Sequence, residues 1–230
     1  WWFYALCAVT AILLSYIFYN LRLKRIIELQ RMRNKIARDL HDDIGSTLSS
    51  INILSGTATK KIRTDAEKTT EMLQKISDSS RRMMDAMGDI VWSINPDNDI
   101  LENMAVRMKE YAAQVLEARD IDYSIHIDES VMNLKLPLDK RRDFYLVFKE
   151  AVNNLAKYAS ANSASINLSA EGNTLKLQVS DDGKGFEVSE TSSGNGLKNM
   201  QQRAQTIGGK LTIISSPNNG TSIKLLLPIT

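Results

Sequence analysis

The segment FKEAVNNLAKYA (residues 148–159) has a helical period that places polar and apolar side chains on different faces. The polar face carries Glu150, Asn154, Lys157 and Tyr158, at offsets of four, seven and eight residues from the first of them. An amide oxygen such as that of Asn154 can hold Mg²⁺, a hard cation that prefers oxygen ligands and keeps several waters. Lys157 is placed to reach phosphate groups bound beside that cation. Taken alone, such a face is more often ordinary polar surface.

Two glycine-rich segments follow this helix. DDGKGF (residues 181–186) comes after a strand-like run, where glycines allow close backbone approach and positive φ. The carboxylate of Asp181 can accept a hydrogen bond from the exocyclic amine of a base. GNGL (residues 194–197) opens a helix, whose N-terminus is an anion site. One glycine-rich turn is weak evidence, but the ordered set favours a nucleotide site.

The sequence around these segments predicts a unit of about 125 residues that forms a two-layer α/β sandwich with mostly antiparallel strands. Helical periodicity predicts helices over about 100–118, 139–159 and 196–207. Alternating or β-branched runs predict strands at 123–127, 165–170, 175–180, 210–215 and 222–227.

Two long amphipathic helices precede this unit. The turn-compatible segment 60–65 separates them and offers Thr64 or Asp65 as an N-cap. The two helices predict an antiparallel hairpin whose apolar stripes one copy cannot cover, so two copies would form a four-helix bundle. The sequence therefore predicts a homodimer. The first stripe comprises Leu29, Ile36, Leu40, Ile44, Leu48, Ile51 and Leu54, and the second Leu73, Ile76, Met83, Met87, Ile90 and Ile94, before Pro96.

Residues 1–19 contain no charged side chain and are long enough, as a helix, to span roughly 30 Å of hydrocarbon. Aromatic residues cluster at both ends, as interfacial belts do, and favour a transmembrane helix over a buried core helix. The basic residues that follow predict the cytoplasmic side, and their position fits a signal peptide poorly. The chain starts without Met, which is typical of a fragment whose extracytoplasmic part is missing.

Composition limits the remaining classes. The 230 residues carry a net charge of +2, which does not indicate a nucleic-acid partner. The single cysteine, Cys7, excludes an intramolecular disulfide and a cysteine-built metal site.

The segment RDLHDDIG (residues 38–45) holds one of the two histidines of the chain. A lone histidine on a helix is usually structural or solvated. Here Leu40 and Ile44 face the predicted bundle, so His41 lies at the flank of the stripe, where another domain can reach it. Asp42 can accept a hydrogen bond from one imidazole nitrogen and leave the other free to attack phosphorus. The alternative is that the acidic residues beside the histidine form a solvated patch, and this alternative is favoured for Asp43 alone.

The order of these motifs, closed by Gly220 and Thr221 before a terminal strand, resembles the ATPase domain shared by gyrase, heat-shock chaperones, histidine kinases and mismatch-repair proteins. The segment around His41 resembles that of NarX/DesK-like sensor histidine kinases of two-component systems. The resemblance covers residues 20–228.

The resemblance implies ATP and Mg²⁺ as cofactors and a role for each motif residue. It implies His41 as phosphoacceptor and Asp42 as its orienting base. Asn154 would be the Mg²⁺ ligand with Glu150 beside the metal, and Lys157 and Tyr158 would lie near the phosphates. Asp181 would recognise adenine. Gly183 and Gly185 would shape the pocket, and Thr221 would support it. A short lid (187–193) would be hinged at Gly194 and Gly196 and followed by Leu197.

One position departs from the family pattern. The phosphatase motif of this branch is Asp-x-x-x-Gln, beginning directly after the histidine, whereas the position four beyond Asp42 is Ser46. A hydroxyl lacks the reach of the glutamine amide. We therefore expect kinase activity and weak phosphatase activity.

The predicted chain is α+β: a transmembrane helix (1–20), a coiled-coil linker and dimerisation hairpin (21–98), and a catalytic ATP-binding domain (99–230). The predicted protein is a sensor histidine kinase of the inner (plasma) membrane, with its kinase domains in the cytoplasm. Its partner would be a response regulator with a helix-turn-helix output, with no direct contact to DNA. Two alternatives remain: an ATP hydrolase that uses Glu150 as base, and a degenerate dimeric scaffold.

Overall fold

The computed structural model of the chain describes residues 1–95, 100–188 and 195–229. Within the first helix, the side chains of Arg25, Glu28, Leu29, residues 31–43 and Ser46 lie outside the described part of the chain, as do those of Arg82, Ser93, Ile94 and Asp139 further on. The chain divides into two compact units, Trp1–Ile90 and Val91–Thr230.

The first unit begins with one continuous helix, α1, from Trp2 to Lys61. At 1.5 Å per residue its 60 residues extend about 90 Å. The segment Trp2–Lys24 is long and apolar enough to cross a bilayer, and its side chains are exposed. The apolar N-terminal helix of the prediction is therefore present, and it runs without a break into the helix that carries His41.

The turn after α1 leads into a second helix, α2, Ala66–Ile94. Of the two predicted N-cap candidates, Asp65 caps the helix, since its Oδ1 accepts a hydrogen bond from the Lys68 N–H at 3.0 Å. Ala58 near the end of α1 and Thr69 near the start of α2 are buried. Other apolar side chains of these helices remain exposed in the single chain: Leu48, Ile53, Leu73, Met84 and Met87.

Among its described residues, the second unit contains four α-helices, one π-helical turn and a five-stranded sheet. The helices are α3 (Leu101–Glu117), α4 (Glu129–Met132), α5 (Leu138–Asn154) and α6 (Asn195–Thr206). The strands are β1 (Asp122–Ile127), β2 (Ser163–Glu171), β3 (Thr174–Asp181), β4 (Lys210–Ser215) and β5 (Thr221–Pro228).

The sheet has the order β1-β2-β3-β5-β4. Only the β1–β2 pair is parallel among these strands; the other three pairs are antiparallel, as the sequence predicts for most of the sheet. One sheet face is apolar and buried, with Leu168, Leu177 and Leu225 in register across the three central strands. On the other face a row of serines crosses four strands: Ser124, Ser165, Ser180 and Ser222.

The core lies between the apolar sheet face and the helices. Phe144 and Phe148 of α5 and Met104 and Met108 of α3 are almost fully buried. Helices on one face of a mostly antiparallel sheet form the predicted two-layer sandwich.

The helix predicted over 139–159 changes its winding before it ends. The α-helix ends at Asn154, and Leu155–Ala159 forms one π-helical turn. The left-handed backbone of Ser160, with φ of 52°, then stops the helix. Single π turns often occur at functional sites, because the wider turn re-aims the side chains around it.

Candidate functional site

A cavity of about 700 Å³ opens between the end of α5, the end of β3 and the start of α6. Its lining has an apolar part and a polar part. The apolar part comprises Ala151, Leu155, Ala159, Val179, Phe186, Leu197 and Ile223, and the polar part Glu150, Asn154, Tyr158, Asp181, Lys184, Glu187 and Thr221, with Gly185 and Gly196 as its glycines.

The helix α5 contributes Glu150 and Asn154 to one side of the cavity. The two side chains are four residues apart, which places them one above the other on the same helix face. Both are half-buried, while Tyr158 at the rim is 65% exposed. Two oxygen-bearing side chains therefore line the same cavity, as expected from the polar face of the predicted helix.

Asp181 closes the opposite side of the cavity, at the last residue of β3. Its Oδ1 accepts a hydrogen bond from the Gly183 N–H at 2.9 Å. Burial raises the pKa of this carboxyl above its ordinary value, although hydrogen bonds from the Gly183 and Thr221 backbone act to lower it. The carboxylate thus lies in an apolar corner beside Val179 and Ile223, where a planar base could fit.

The neighbouring Asp182 has a structural role. Its Oδ1 accepts hydrogen bonds from the Asn162 and Ser163 N–H groups, each at 2.9 Å, and its Oδ2 accepts one from the Ser163 hydroxyl. The hydrogen bonds from Ser163 lower the pKa of Asp182. This carboxylate therefore ties the start of β2 to the glycine-rich turn.

Two glycines, one in the turn after β3 and one directly before β5, are required by close backbone contacts. A Cβ at Gly183 would overlap the carbonyl group of Ala159, which accepts a hydrogen bond from the Lys184 N–H at 2.8 Å. Gly220 has φ of +67°, and a Cβ there would overlap the carbonyl oxygen of Asp181. These contacts hold the turn against the end of α5 on one side and the start of β5 on the other.

Ser215 connects three backbone segments beneath the cavity. Its hydroxyl accepts from the Phe186 N–H at 2.9 Å and donates to the Gly220 carbonyl at 3.0 Å. It also lies 3.0 Å from the Thr221 hydroxyl. Thr221 thus lines the cavity and belongs to this network, whereas no sequence pattern indicates a role for Ser215.

The start of α6 lies directly against α5. A Cβ at Gly196 would overlap the Oε1 atom of Glu150 and would lie 3.5 Å from Nδ2 of Asn154. A residue with a side chain would therefore displace the groups that line the cavity. The absence of a side chain lets the amide end of α6 approach the Glu150 carboxylate.

The structure gathers most of the predicted nucleotide residues in one place. Eight line the cavity: Glu150, Asn154, Tyr158, Asp181, Gly185, Gly196, Leu197 and Thr221. Gly183 packs behind them on Ala159, and Lys157 is exposed and outside the lining. Gly194 and lid residues 189–193 lie outside the described residues.

Glu187, the first residue of the predicted lid, also lines the cavity, as do Lys184 and Phe186, to which the sequence analysis assigned no role. Their position within or next to the DDGKGF segment was the signal that could have identified them. His41 and Asp42 lie on α1 in the first unit, and their side chains are outside the described part of the chain.

Two family models match separate parts of the chain. Residues 33–99 match a model described as histidine kinase. Residues 139–230 match the histidine kinase-, DNA gyrase B- and HSP90-like ATPase. The chain belongs to the histidine kinase family. This confirms the family predicted from the motifs around His41 and Asp181.

Several curated histidine kinases are similar over most of this chain. The sensor histidine kinase DesK of Bacillus subtilis is 31% identical over 211 residues, which cover 91% of this chain and 54% of DesK. LiaS of Bacillus subtilis is 25% identical over 86% of this chain and 54% of its own length. The kinase/phosphatase UhpB of Salmonella typhimurium is 29% identical over 89% of this chain and 40% of its own length. The chain thus spans about half the length of the curated relatives it matches.

Solved histidine kinases share the fold. The histidine kinase domain of the blue-light activated kinase of Erythrobacter litoralis has a TM-score of 0.53 at 14% identity, covering 79% of this chain and 96% of that one. The histidine kinase AdeS of Acinetobacter baumannii has a TM-score of 0.56 at 12% identity, covering 79% and 95%. At these identities the likeness concerns the fold alone.

Proposed function

We propose that this histidine kinase binds Mg-ATP in the cavity, transfers the γ-phosphoryl group to His41, and passes it on to an aspartate of a response regulator. The observation that carries the proposal is the convergence of Glu150, Asn154 and Asp181 on one cavity. The same chain carries His41 within the segment that matches the histidine kinase model.

Adenine would bind at the Asp181 end of the cavity. The apolar side chains beside this carboxylate can enclose the faces of the base, and the carboxylate can accept a hydrogen bond from its exocyclic amine. The phosphates would then extend towards Asn154 and the start of α6, whose free N–H groups favour anions. Lys157 and Tyr158 follow on the π-helical turn and would meet the phosphates from solvent.

The residues of the cavity fit a magnesium ion. Asn154 and Glu150 offer oxygen atoms on one helix face, and Mg²⁺ commonly takes one or two protein ligands together with waters and phosphate oxygens. When bound, the ion would neutralise phosphate charge during transfer. Glu150 would orient waters of the ion, and its carboxylate beside Gly196 would keep that side of the cavity polar.

The transfer step needs a nucleophile with one free imidazole nitrogen. A nitrogen of His41 would form a bond to the γ-phosphorus while the bond to the β,γ-bridging oxygen breaks, and ADP would leave with that oxygen. Asp42 would accept the proton of the other imidazole nitrogen in a hydrogen bond, fix the tautomer, and stabilise the charge that develops on the ring. Positioning and charge neutralisation would supply most of the catalysis.

The first unit supports a dimeric, membrane-anchored arrangement. Large apolar side chains such as Leu48, Leu73 and Met87 are exposed in the single chain, and a second copy could bury them in a four-helix bundle. Trp2–Lys24 would cross the plasma membrane, and the basic residues beyond it would place the kinase in the cytoplasm. The response regulator, with a helix-turn-helix output, would be the protein that contacts DNA.

The test is phosphorylation of the 230-residue chain in lipid nanodiscs with ATP labelled at the γ-phosphate. We expect acid-labile, base-stable label on the protein, and its loss in His41→Gln. His126→Gln is the matched control, because it removes the other histidine, which is exposed on β1. This control should keep the label.

Retention of the label in His41→Gln would contradict the proposal. Release of free phosphate without labelled protein would instead indicate an ATP hydrolase that uses Glu150 as base. Absence of Mg-dependent nucleotide binding would indicate a degenerate scaffold.

A further inference from the structure

The helices α5 and α6 are joined at both ends of their contact. At one end, Gly196 lies against the Glu150 carboxylate. At the other, Arg203 Nη1 of α6 donates a hydrogen bond to Asp143 Oδ1 of α5 at 2.8 Å. Asp143 lies seven residues before Glu150, and Arg203 lies seven residues after Gly196. The equal offsets show that the two helices run antiparallel and in register over about two turns, roughly 10 Å.

The middle of this contact does not define the register by itself. Met200 of α6 and Val147 of α5 lie between the two ends and are fully buried. Apolar burial is non-directional, and methionine adapts its shape to irregular gaps. Gly196 has no side chain that could hold a position. A slip of α6 along α5 would therefore keep much of the apolar burial.

The Arg203–Asp143 pair is directional and would be broken by such a slip. The side chain of Asp143 is 18% exposed and that of Arg203 is 38% exposed, so solvent screens the pair only in part. Asp143, Glu150 and Asn154 occupy one face of α5, at offsets of seven and eleven residues. The ion pair and the cavity groups therefore lie along a single line on the same helix.

We propose that the Arg203–Asp143 ion pair is a positioning device for the nucleotide site: it fixes the register of α6 against α5 and thereby holds the start of α6 at Glu150 and Asn154. The inference rests on the proposed binding of Mg-ATP in the cavity. Both residues act through α6, at a distance of about two helical turns from the bound phosphates.

The test measures the dissociation constant of Mg-ATP, by displacement of a fluorescent trinitrophenyl-ATP, on the full chain in nanodiscs. The variants are Arg203→Ala, Asp143→Ala, the double alanine variant, and the reversed pair Asp143→Arg with Arg203→Asp. We expect each single alanine variant to weaken binding about three- to tenfold, and the double variant to be no weaker than the poorer single one, because contacting residues are coupled. The reversed pair and Arg203→Lys should each recover part of the affinity.

Gln201→Ala is the matched control, since Gln201 is an exposed residue of the same helix. It should bind Mg-ATP like the unmodified chain. The rate of labelling at saturating ATP should change less than about twofold in Arg203→Ala, because the chemical groups remain in place once the nucleotide is bound.

A purely structural role predicts another pattern. Arg203→Ala would then lower the melting temperature and the active fraction, and the folded molecules would bind Mg-ATP with unchanged affinity. That result, or a reversed pair no better than Arg203→Ala, would overturn the inference. If the unmodified chain binds Mg-ATP but never gains label, the proposed kinase function fails while the affinity comparison still decides the role of Arg203. An unmodified chain that binds no nucleotide would overturn both.

Discussion

Asp181 is held in a position that suits a ligand better than it suits the free protein. Burial of the carboxyl raises its pKa, and the nearby Asp182 adds to the rise, while backbone hydrogen bonds from Gly183 and Thr221 act to lower it. A raised pKa in the folded state means that the folded protein binds a proton more tightly than the unfolded chain does. The free energy of unfolding therefore falls as the pH rises through the pKa of the folded state.

Asp181→Asn should separate stability from binding. The amide removes the buried charge, so the ATPase domain should melt at a higher temperature than the unmodified protein at neutral pH. This gain should shrink as the pH falls through the pKa of the folded state, and it should be gone below the pKa of an unfolded aspartate, where both proteins are neutral at this position. Mg-ATP affinity should fall about tenfold or more, because the new N–H₂ group opposes the amine of adenine and a mispaired buried donor costs roughly 1–3 kcal/mol.

The preference between ATP and GTP is a second property to measure in the Asp181→Asn variant. An amide can donate to the O6 atom of guanine, which the carboxylate of Asp181 would repel. The ratio of GTP to ATP affinity, measured by displacement, should rise in Asp181→Asn. An unchanged ratio together with unchanged ATP affinity would show that Asp181 does not contact the base.

At this scale the sequence predicts side chains better than it predicts backbone contacts. Glu150, Asn154 and Asp181 were identifiable because each carries chemistry that a nucleotide needs, at a recognisable spacing. Ser215 was not, because its role depends on three segments that meet only after β4 and β5 have paired. The roles of His41, Asp42 and Ser46 stay predictions, since their side chains lie outside the described residues.

The glycine-rich turn after β3 is the element on which the site depends most. Gly183 lies so close to Ala159 that a Cβ would overlap its carbonyl group, and the neighbouring Lys184 N–H donates to that carbonyl. The turn therefore links the π-helical end of α5 to the Asp181 side of the cavity.

Gly183→Ala should destabilise the second unit by about 1–3 kcal/mol, because the added methyl group forces the backbone apart. Hydrogen exchange of the β3 and β5 amides is the measurement, since these strands carry Asp181 and Thr221 at their ends. Mg-ATP affinity should fall as well. The matched control is Gly56→Ala in α1, where a Cβ meets nothing within 4 Å and should leave exchange in the sheet unchanged. Unchanged exchange in Gly183→Ala would show that the turn can yield without loss.

Elements were predicted where the period of the side chains decides the structure. All five strands and the three main helices of the second unit lie where alternation or a helical period indicates them. Two features were not predictable. The parallel β1–β2 pair requires the crossover through α4 and α5, which joins strands distant in sequence. The π-helical turn ends at Ala159, whose carbonyl accepts a hydrogen bond from the distant Lys184 N–H, so neither feature leaves a local pattern.

On the scale of the whole molecule, charge and hydropathy predict three successive parts, whereas the structure divides the chain into two compact units, Trp1–Ile90 and Val91–Thr230. An apolar segment, a helical pair with exposed apolar side chains, and an ATPase unit with its own core follow in that order. The sequence also predicts that a second copy of the chain covers the stripe residues that remain exposed, Leu48, Leu73 and Met87. Since the structure describes one chain, the homodimer stays a prediction.

The unbroken helix α1 sets the angle of His41 around the helix axis relative to the apolar segment. A helix turns by about 100° per residue, so each residue added between Lys24 and His41 rotates the histidine relative to the apolar segment by that amount. One added alanine should therefore alter basal phosphorylation of His41 far more than seven do, since seven complete almost two full turns.

The measurement is the labelling rate of variants with one to seven alanines inserted after Lys24, in nanodiscs. A rate that oscillates with helical period is expected, whereas a steady decline with length would contradict it. Insertion of glycines instead of alanines is the control, because a flexible segment does not transmit the helical rotation to His41. The chain would then behave as a torsion shaft, in which the orientation of the membrane segment, rather than its distance from the histidine, sets the output.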